Sequence, residues 1–345
     1  MIKIQKSSPP APLNNMIIHL ILLLFHTGIS LNTRIAVVGS TGRTGRHVVA
    51  SLLEKTNSTT IVALYRDKDK LNTLPWATDP RVTLLQLSTI SKPSDSVRQV
   101  LFSCDGGIYT ASGLSNISSK LSKLLGFFNL ISKSPVDEAG PVAFANSLAP
   151  NSRFVLCSSA GVTRPSWSDE KKARFVDCAD IPIVRLNPFS ILDIKMQAED
   201  KIRDEVSDYT IVRPCGLNDE DHEPNSRPVF SQGDVAVGRV NRRDLATILV
   251  DVLLSKQAHK KTFEFSTIMS LPYPNSIEPQ LASLREDGDE ANDEVALQTT
   301  YNLCQQLLPG RTLRASRLAM GQKYEQLDEN VEGRLGVRGA EKLPF

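Results

Sequence analysis

Apolar and polar positions alternate in blocks along the chain. Arg34–Val38 (RIAVV), Thr60–Tyr65 (TIVALY), Val82–Leu87 (VTLLQL), Gly106–Ser112, Phe154–Cys157 (FVLC) and Tyr209–Val212 (YTIV) are short and apolar, and read as strands. Between them Arg46–Lys55, Ser94–Phe102, Pro135–Ala149 and Ile191–Val206 carry apolar residues at helical spacing. Strands alternating with helices predict an α/β fold: a Rossmann-like, doubly wound parallel sheet with helices on both faces. The pattern then changes. Asp221–Asp234 is polar and contains proline, which predicts a cleft loop within 218–240. Asn241–Leu254 reads as an amphipathic helix and Lys261–Phe265 as a closing strand. The resulting plan is a nucleotide-binding unit over 33–267, then a C-terminal extension over 268–345, partly disordered, with a small substrate or lid region. In that extension, acidic Arg285–Glu294 is expected to be a solvated loop or linker, and Val295–Leu308 a helix. Arg311, Arg314 and Arg317 follow at i, i+3 spacing, as on an exposed helix face.

Residues 1–32 fall outside this pattern. Lys3, Lys6 and a proline-rich patch precede the apolar run Ile17–Phe25, which is far shorter than the ~20 apolar residues a membrane span needs. A basic leader, a short apolar region and the small or polar Thr27, Gly28 and Ser30 predict a targeting leader, secretory or organellar. The alternative is an extension ahead of a true start at Met16, with a cytoplasmic protein.

Composition narrows the function classes. In 345 residues, 40 Lys+Arg against 38 Asp+Glu leave a net charge of +2, so no nucleic-acid partner is expected. Cys104, Cys157, Cys178, Cys215 and Cys304 are widely spaced, odd in number and without a C-x-x-C pair. Neither a metal site nor a disulfide framework is indicated.

The strongest chemical signal is Gly39-Ser-Thr-Gly42-Arg-Thr-Gly45, placed between a strand and a helix. Gly39 permits the tight turn, Gly42 lets backbone approach a pyrophosphate, and Gly45 lets the helix pack on the strand. Amides at the helix start then meet phosphate charge. At the end of the second strand Arg66 precedes Asp67, with Lys68 and Lys70 nearby. An arginine there accommodates a 2′-phosphate, so NADP(H) is expected over NAD(H). The Gly39 loop, Thr110–Gly113, Ser158–Gly161 and Pro214 all fall at the carboxyl ends of strands, where such sheets bind ligands.

VVGSTGRTGRHVV (37–49), FVLCSSAGVTRP (154–165), NPFSILDIKMQAED (187–200), DYTIVRPCGL (208–217) and GRVNRRDLATILVDVLL (238–254) together carry a resemblance. The chain resembles atypical short-chain dehydrogenases/reductases of the NmrA-like, NAD(P)H-binding kind, which includes biliverdin/flavin reductase-like and plastid-associated members. The resemblance covers roughly 34–267. It implies that Gly39, Thr41, Gly42, Arg43, Thr44 and Gly45 wrap the diphosphate and that Arg66 holds the 2′-phosphate. Thr110, Ala111 and Ser112 would pass the ribose. Ser158 would stand near the nicotinamide, and Lys195 matches the lysine of the Y-x-x-x-K pair. Two departures matter. Ile191 stands where the catalytic tyrosine belongs, and Gln86-Leu87-Ser88 replaces the usual Gly-Asp beside the adenine.

Without the tyrosine, which normally acts as general acid, acid-dependent carbonyl reduction or sugar-nucleotide epimerisation is disfavoured. A flavin or quinone draws its proton from water. An NADPH-dependent oxidoreductase acting on such a small substrate is therefore the first expectation, and a non-catalytic NADP(H)-binding redox sensor or assembly factor the second. Tyr109 and Tyr209 read as packing residues and His222 as a solvated loop residue. A protein partner would use the insertion 112–133, with its amphipathic spacing of Leu121, Leu124, Leu125, Phe128 and Leu130, or the C-terminal tail.

Overall fold

The computed structural model of the chain describes residues 33–113, 136–219, 226–289, 294–308, 310 and 314–342. The leader 1–32, the insertion from residue 114 onward, His222 and Arg311 lie outside the described residues.

Strands β1 (Arg34–Val38), β2 (Thr60–Tyr65), β3 (Val82–Gln86), β4 (Gly106–Tyr109), β5 (Arg153–Cys157) and β6 (Tyr209–Pro214) are joined by later strands in one sheet. Its order is β3-β2-β1-β4-β5-β6-β10-β8, with β8 Ser226–Ser231 and β10 Lys261–Pro272. All its neighbours are parallel except β10 and β8. The order reverses between β1 and β4, whose C-terminal residues Val38 and Tyr109 are paired. That reversal opens the crevice in which open α/β sheets bind ligands.

The central strands are buried on both faces, which is why they read as unbroken apolar runs. Ile35 and Val37 of β1 pack with Val48, Val49 and Leu52 of helix α1 (Gly45–Lys55) and with Leu245 and Leu249 of the helix Arg242–Leu254. Ala36 and Val38 point the other way, into Val97, Leu101, Phe144 and Ile202. These come from helices α2 (Asp95–Phe102), α3 (Ala139–Ala145) and α4 (Ile191–Glu205). The helix Arg242–Leu254 is α5, capped by Asn241, whose Oδ1 accepts from the Arg243 N–H at 2.8 Å.

Several elements differ from the expectation. The cleft loop expected over 218–240 contains β8 and also β9 (Arg239–Asn241), which pairs with β7 (Gly216–Asn218). Pro228 made β8 look like a loop, but an edge strand tolerates a residue without an N–H. The helix expected over Pro135–Ala149 is confined to Ala139–Ala145, because Pro141 fits only a first helical turn. Residues 285–289 of the acidic stretch form an exposed loop, as expected, and Asp287 ties it to the sheet by accepting from Tyr209 Oη at 3.0 Å, Thr262 Oγ1 at 2.6 Å and Thr262 N–H at 3.1 Å. Helix α6 (Glu294–Gln306) and the tail pack Tyr301, Leu308, Ala315, Leu318 and Tyr324 against Trp167, Phe175 and Cys178. Arg314 precedes a single 3-10 turn, Ala315–Arg317, that Arg317 ends, so the two do not share an α-helix face. All five cysteines are free.

Candidate functional site

The glycine loop leaves β1 with Gly39 at φ +79°, and the Gly42 N–H returns to the Gly39 carbonyl at 2.8 Å. Ser40 ties the turn to β2, its hydroxyl donating to the Leu64 carbonyl at 2.8 Å. A Cβ on Gly45 would stand 2.1 Å from the Gly39 oxygen, and one on Gly39 would stand 2.8 Å from the Ala111 nitrogen. The helix start is thus packed tightly onto the loop, and the loop onto the segment after β4. Thr110 holds that segment from the other side through Oγ1, which donates to the Val38 carbonyl at 2.8 Å.

Among the described residues no acidic side chain caps α1. Thr44 makes no side-chain cap hydrogen bond, and the first turn holds no acidic residue. Its terminal amides therefore present the positive end of the helix dipole to the crevice. Arg43 and Arg242 add positive charge there, at 3.6 and 2.8 Å from the Asp219 carboxylate. Burial, followed by Arg46 and Arg243, holds the pKa of His47 below its usual value, so the basic frame rests on arginines. These features fit a dinucleotide diphosphate.

At the end of β2 the two candidate selectors separate. Asp67 caps the short helix Lys68–Asn72, accepting from the N–H groups of Asp69 at 3.1 Å and Lys70 at 3.2 Å. Its carboxylate is occupied and held below the usual range, chiefly by the Lys70 N–H. Arg66 is exposed.

Across the crevice a small cavity is lined by Tyr109, Ala111, Asp137, Cys157, Ser158 and Lys195, among others. Lys195 Nζ lies 2.9 Å from Asp137 Oδ1, with Asp137 wholly buried and Lys195 nearly so. Asp137 Oδ2 accepts from the Gly113 N–H at 2.6 Å, tying the pair to the segment after β4. Ser158 Oγ donates to Glu199 Oε1 at 2.5 Å. Glu199 also accepts from Arg213 at 2.5 Å and from Arg203 at 2.8 Å. The Pro214 carbonyl accepts from the Ala160 N–H at 3.0 Å, fixing the loop after β5 to the end of β6.

The structure thus brings together Ser158, Lys195 and the loops of Gly39–Gly45 and Thr110–Ser112. Ile191 is turned away, packed with Val162, Val184 and Leu192 at 4% exposure. Tyr109 does not replace the missing acid, because its hydroxyl donates to the Val136 carbonyl at 2.5 Å and burial raises its pKa well above 10. Desolvation likewise holds the Cys157 thiol at about 11, so no thiolate is offered at neutral pH. Among the described residues no group of His, Cys, Asp and Glu is arranged to hold a metal ion.

Sequence reasoning missed Asp137 and Glu199. Glu199 had a signal, since it lies four residues after Lys195 on the same helix face. Asp137 had none, because its contact with Lys195 joins residues far apart in the chain.

The chain is similar to several known proteins. An uncharacterised chloroplast protein of Arabidopsis thaliana is 26% identical over 235 residues, covering 67% of this chain and 75% of that protein. A candidate NAD-dependent epimerase/dehydratase of Bacillus halodurans superposes with a TM-score of 0.51 at 18% identity, over 73% of this chain and 100% of that one. A Veillonella parvula short-chain dehydrogenase/reductase, crystallised with NADP, gives a TM-score of 0.47 at 17% identity over 70% of this chain and 99% of its own. The family described as NAD(P)H-binding matches residues 39–256. The chain belongs to that NAD(P)H-binding family.

Proposed function

We propose that the protein is an NADPH-dependent oxidoreductase that reduces a small flavin- or quinone-like substrate without the usual tyrosine. One observation carries the reading: Ser158 and Lys195 face one cavity beside the glycine loop, while Ile191 packs into the core. When bound, NADPH supplies the hydride. The chain binds and orients it. Gly39, Thr41, Gly42, Arg43, Thr44 and Gly45 hold the diphosphate, Thr110, Ala111 and Ser112 border the ribose, and Pro214 closes the nicotinamide side. Lys195, held by Asp137, directs its ammonium to the ribose and reaction centre, and the substrate takes its proton from water.

Selectivity for the 2′-phosphate rests on the β2 terminus. The Asp67 carboxylate is engaged in capping and Arg66 is exposed, so a phosphate meets cation rather than anion. Fluorescence titration of protein lacking residues 1–30 tests this. NADPH should bind more tightly than NADH by at least about tenfold, and Arg66→Asp should remove the difference. Turnover with a flavin and a quinone then tests the chemistry. Equal binding of the two nucleotides refutes the NADP preference.

A second reading, an NADP(H)-binding redox sensor or assembly factor, is favoured by the buried Ile191 and predicts nucleotide binding without turnover. The leader over 1–32, together with the chloroplast relative, supports plastid targeting. Mass-spectrometric determination of the mature N-terminus tests that.

A further inference from the structure

We propose that Glu199 fixes the Ser158 hydroxyl as a hydrogen-bond acceptor, so that this corner of the cleft takes an amide N–H and rejects a carbonyl oxygen. The inference rests on the dinucleotide reading given above.

Glu199 projects from α4 with its carboxylate wholly buried. Arg213 reaches it through Nη2 at 2.5 Å and Nε at 3.1 Å, and Arg203 through Nη2 at 2.8 Å. A carboxylate engaged by two guanidinium groups has only lone pairs to offer. In the 2.5 Å contact between Ser158 and Glu199, the proton therefore comes from the serine. A serine hydroxyl has one proton, and here it points beneath the helix. Toward the cavity that Ser158 lines, Oγ presents lone pairs only.

A serine that polarises a substrate carbonyl must donate, and Ser158 does not while Glu199 holds its proton. A carbonyl oxygen placed there meets lone pair against lone pair. An N–H group meets a ready acceptor. Lys195, on the same cavity, is the opposite kind of group, a donor without lone pairs. Together they match an amide, which carries an N–H beside a C=O. Two sources supply that chemistry: the carboxamide of the nicotinamide and a cyclic imide of a flavin-like substrate.

Binding measurements on the full chain separate them. The cofactor arm compares NADPH with the reduced 3-acetylpyridine analogue, in which a ketone replaces the carboxamide. The substrate arm compares lumiflavin with 3-methyllumiflavin, whose imide N–H is blocked. In at least one arm the ligand lacking the N–H should bind about tenfold or more weakly. Ser158→Ala should bring that ratio close to one. Glu199→Gln should narrow it, because a side-chain amide can donate to Ser158 and release the hydroxyl proton toward the cavity. A general structural defect would weaken both members of a pair together and leave the ratio in place. Should Glu199→Gln fail to fold, the wild-type ratios and Ser158→Ala decide alone. Equal binding within both pairs, with NADPH still bound tightly, overturns this inference and leaves the dinucleotide reading intact. Failure to bind either nucleotide overturns the reading beneath it as well.

Discussion

Replacing Lys195 by methionine tests the Lys195–Asp137 pair, which ties helix α4 to the segment after β4. The two charges are 2.9 Å apart, with side-chain exposures of 12% and 0%. Methionine keeps most of the lysine's apolar stem, so the change is close to removal of the ammonium alone. Asp137 would then remain buried as a carboxylate, with the Gly113 N–H as its remaining donor among the described residues. Removing one partner of a buried pair typically costs about 3–5 kcal/mol, against about 0–1 kcal/mol for surface pairs. Asp137→Asn retains an acceptor for Gly113 and strands an ammonium that still reaches the cleft, so a smaller loss of about 1–2 kcal/mol is expected. The double variant leaves no uncompensated charge and should lose less than the two single losses added together. The difference should be about 1–3 kcal/mol, the coupling expected of contacting residues. Urea denaturation of the four proteins measures it. A Lys195→Met loss below about 0.5 kcal/mol, or strict additivity of the two changes, would refute the claim that the pair is a buried unit.

Two further expectations follow from the same geometry. Gly45→Ala introduces a Cβ 2.1 Å from the Gly39 oxygen and 2.8 Å from Thr110 Oγ1. Alanine's advantage of about 1 kcal/mol inside a helix does not offset overlap with backbone, so lower thermal stability and lost NADPH affinity are expected; unchanged titrations and melting would contradict the packing described. Glu264 is buried at 1% exposure, and burial together with Asp234 raises its pKa from 4.5 to about 8. Between those values the folded state binds the extra proton, so this group's contribution to stability falls as pH rises from about 4.5 through 8. Urea midpoints measured across that range should decline in the wild type and flatten in Glu264→Gln. A parallel decline in both proteins would show that another group is responsible.

The Gly39–Gly45 loop and the strands on either side of it were legible because their signals are local. A turn between a strand and a helix restricts residue type wherever it occurs. A strand buried on both faces must be apolar along its length, as Ile61–Leu64 is. Local chemistry was also enough to mark Arg66 as a candidate, whereas Ser158 and Lys195 as candidates, and Ile191 as a departure, came from the family resemblance. The sequence did not reveal β8, because its pairing with β10 joins residues far apart in the chain, and an edge position excuses Pro228. Nor did it reveal the anchoring of Asp287, whose partners Tyr209 and Thr262 lie on two different strands. The run's other described residues, 285, 286, 288 and 289, are exposed as expected, and it is the Asp287 carboxylate to which the fold supplies donors.

The site divides in the same way. The sequence by itself determined the fold class and the glycine turn between β1 and α1, since both are set by residue types over short spans. Only the tertiary structure decided what Ser158 and Lys195 can do. The proton of Ser158 is committed by Glu199, 41 residues away, and the ammonium of Lys195 is held by Asp137 from the turn that precedes α3. Hydrogen-bond direction and charge pairing are properties of groups in contact, and those contacts exist only once the sheet has brought the helices together.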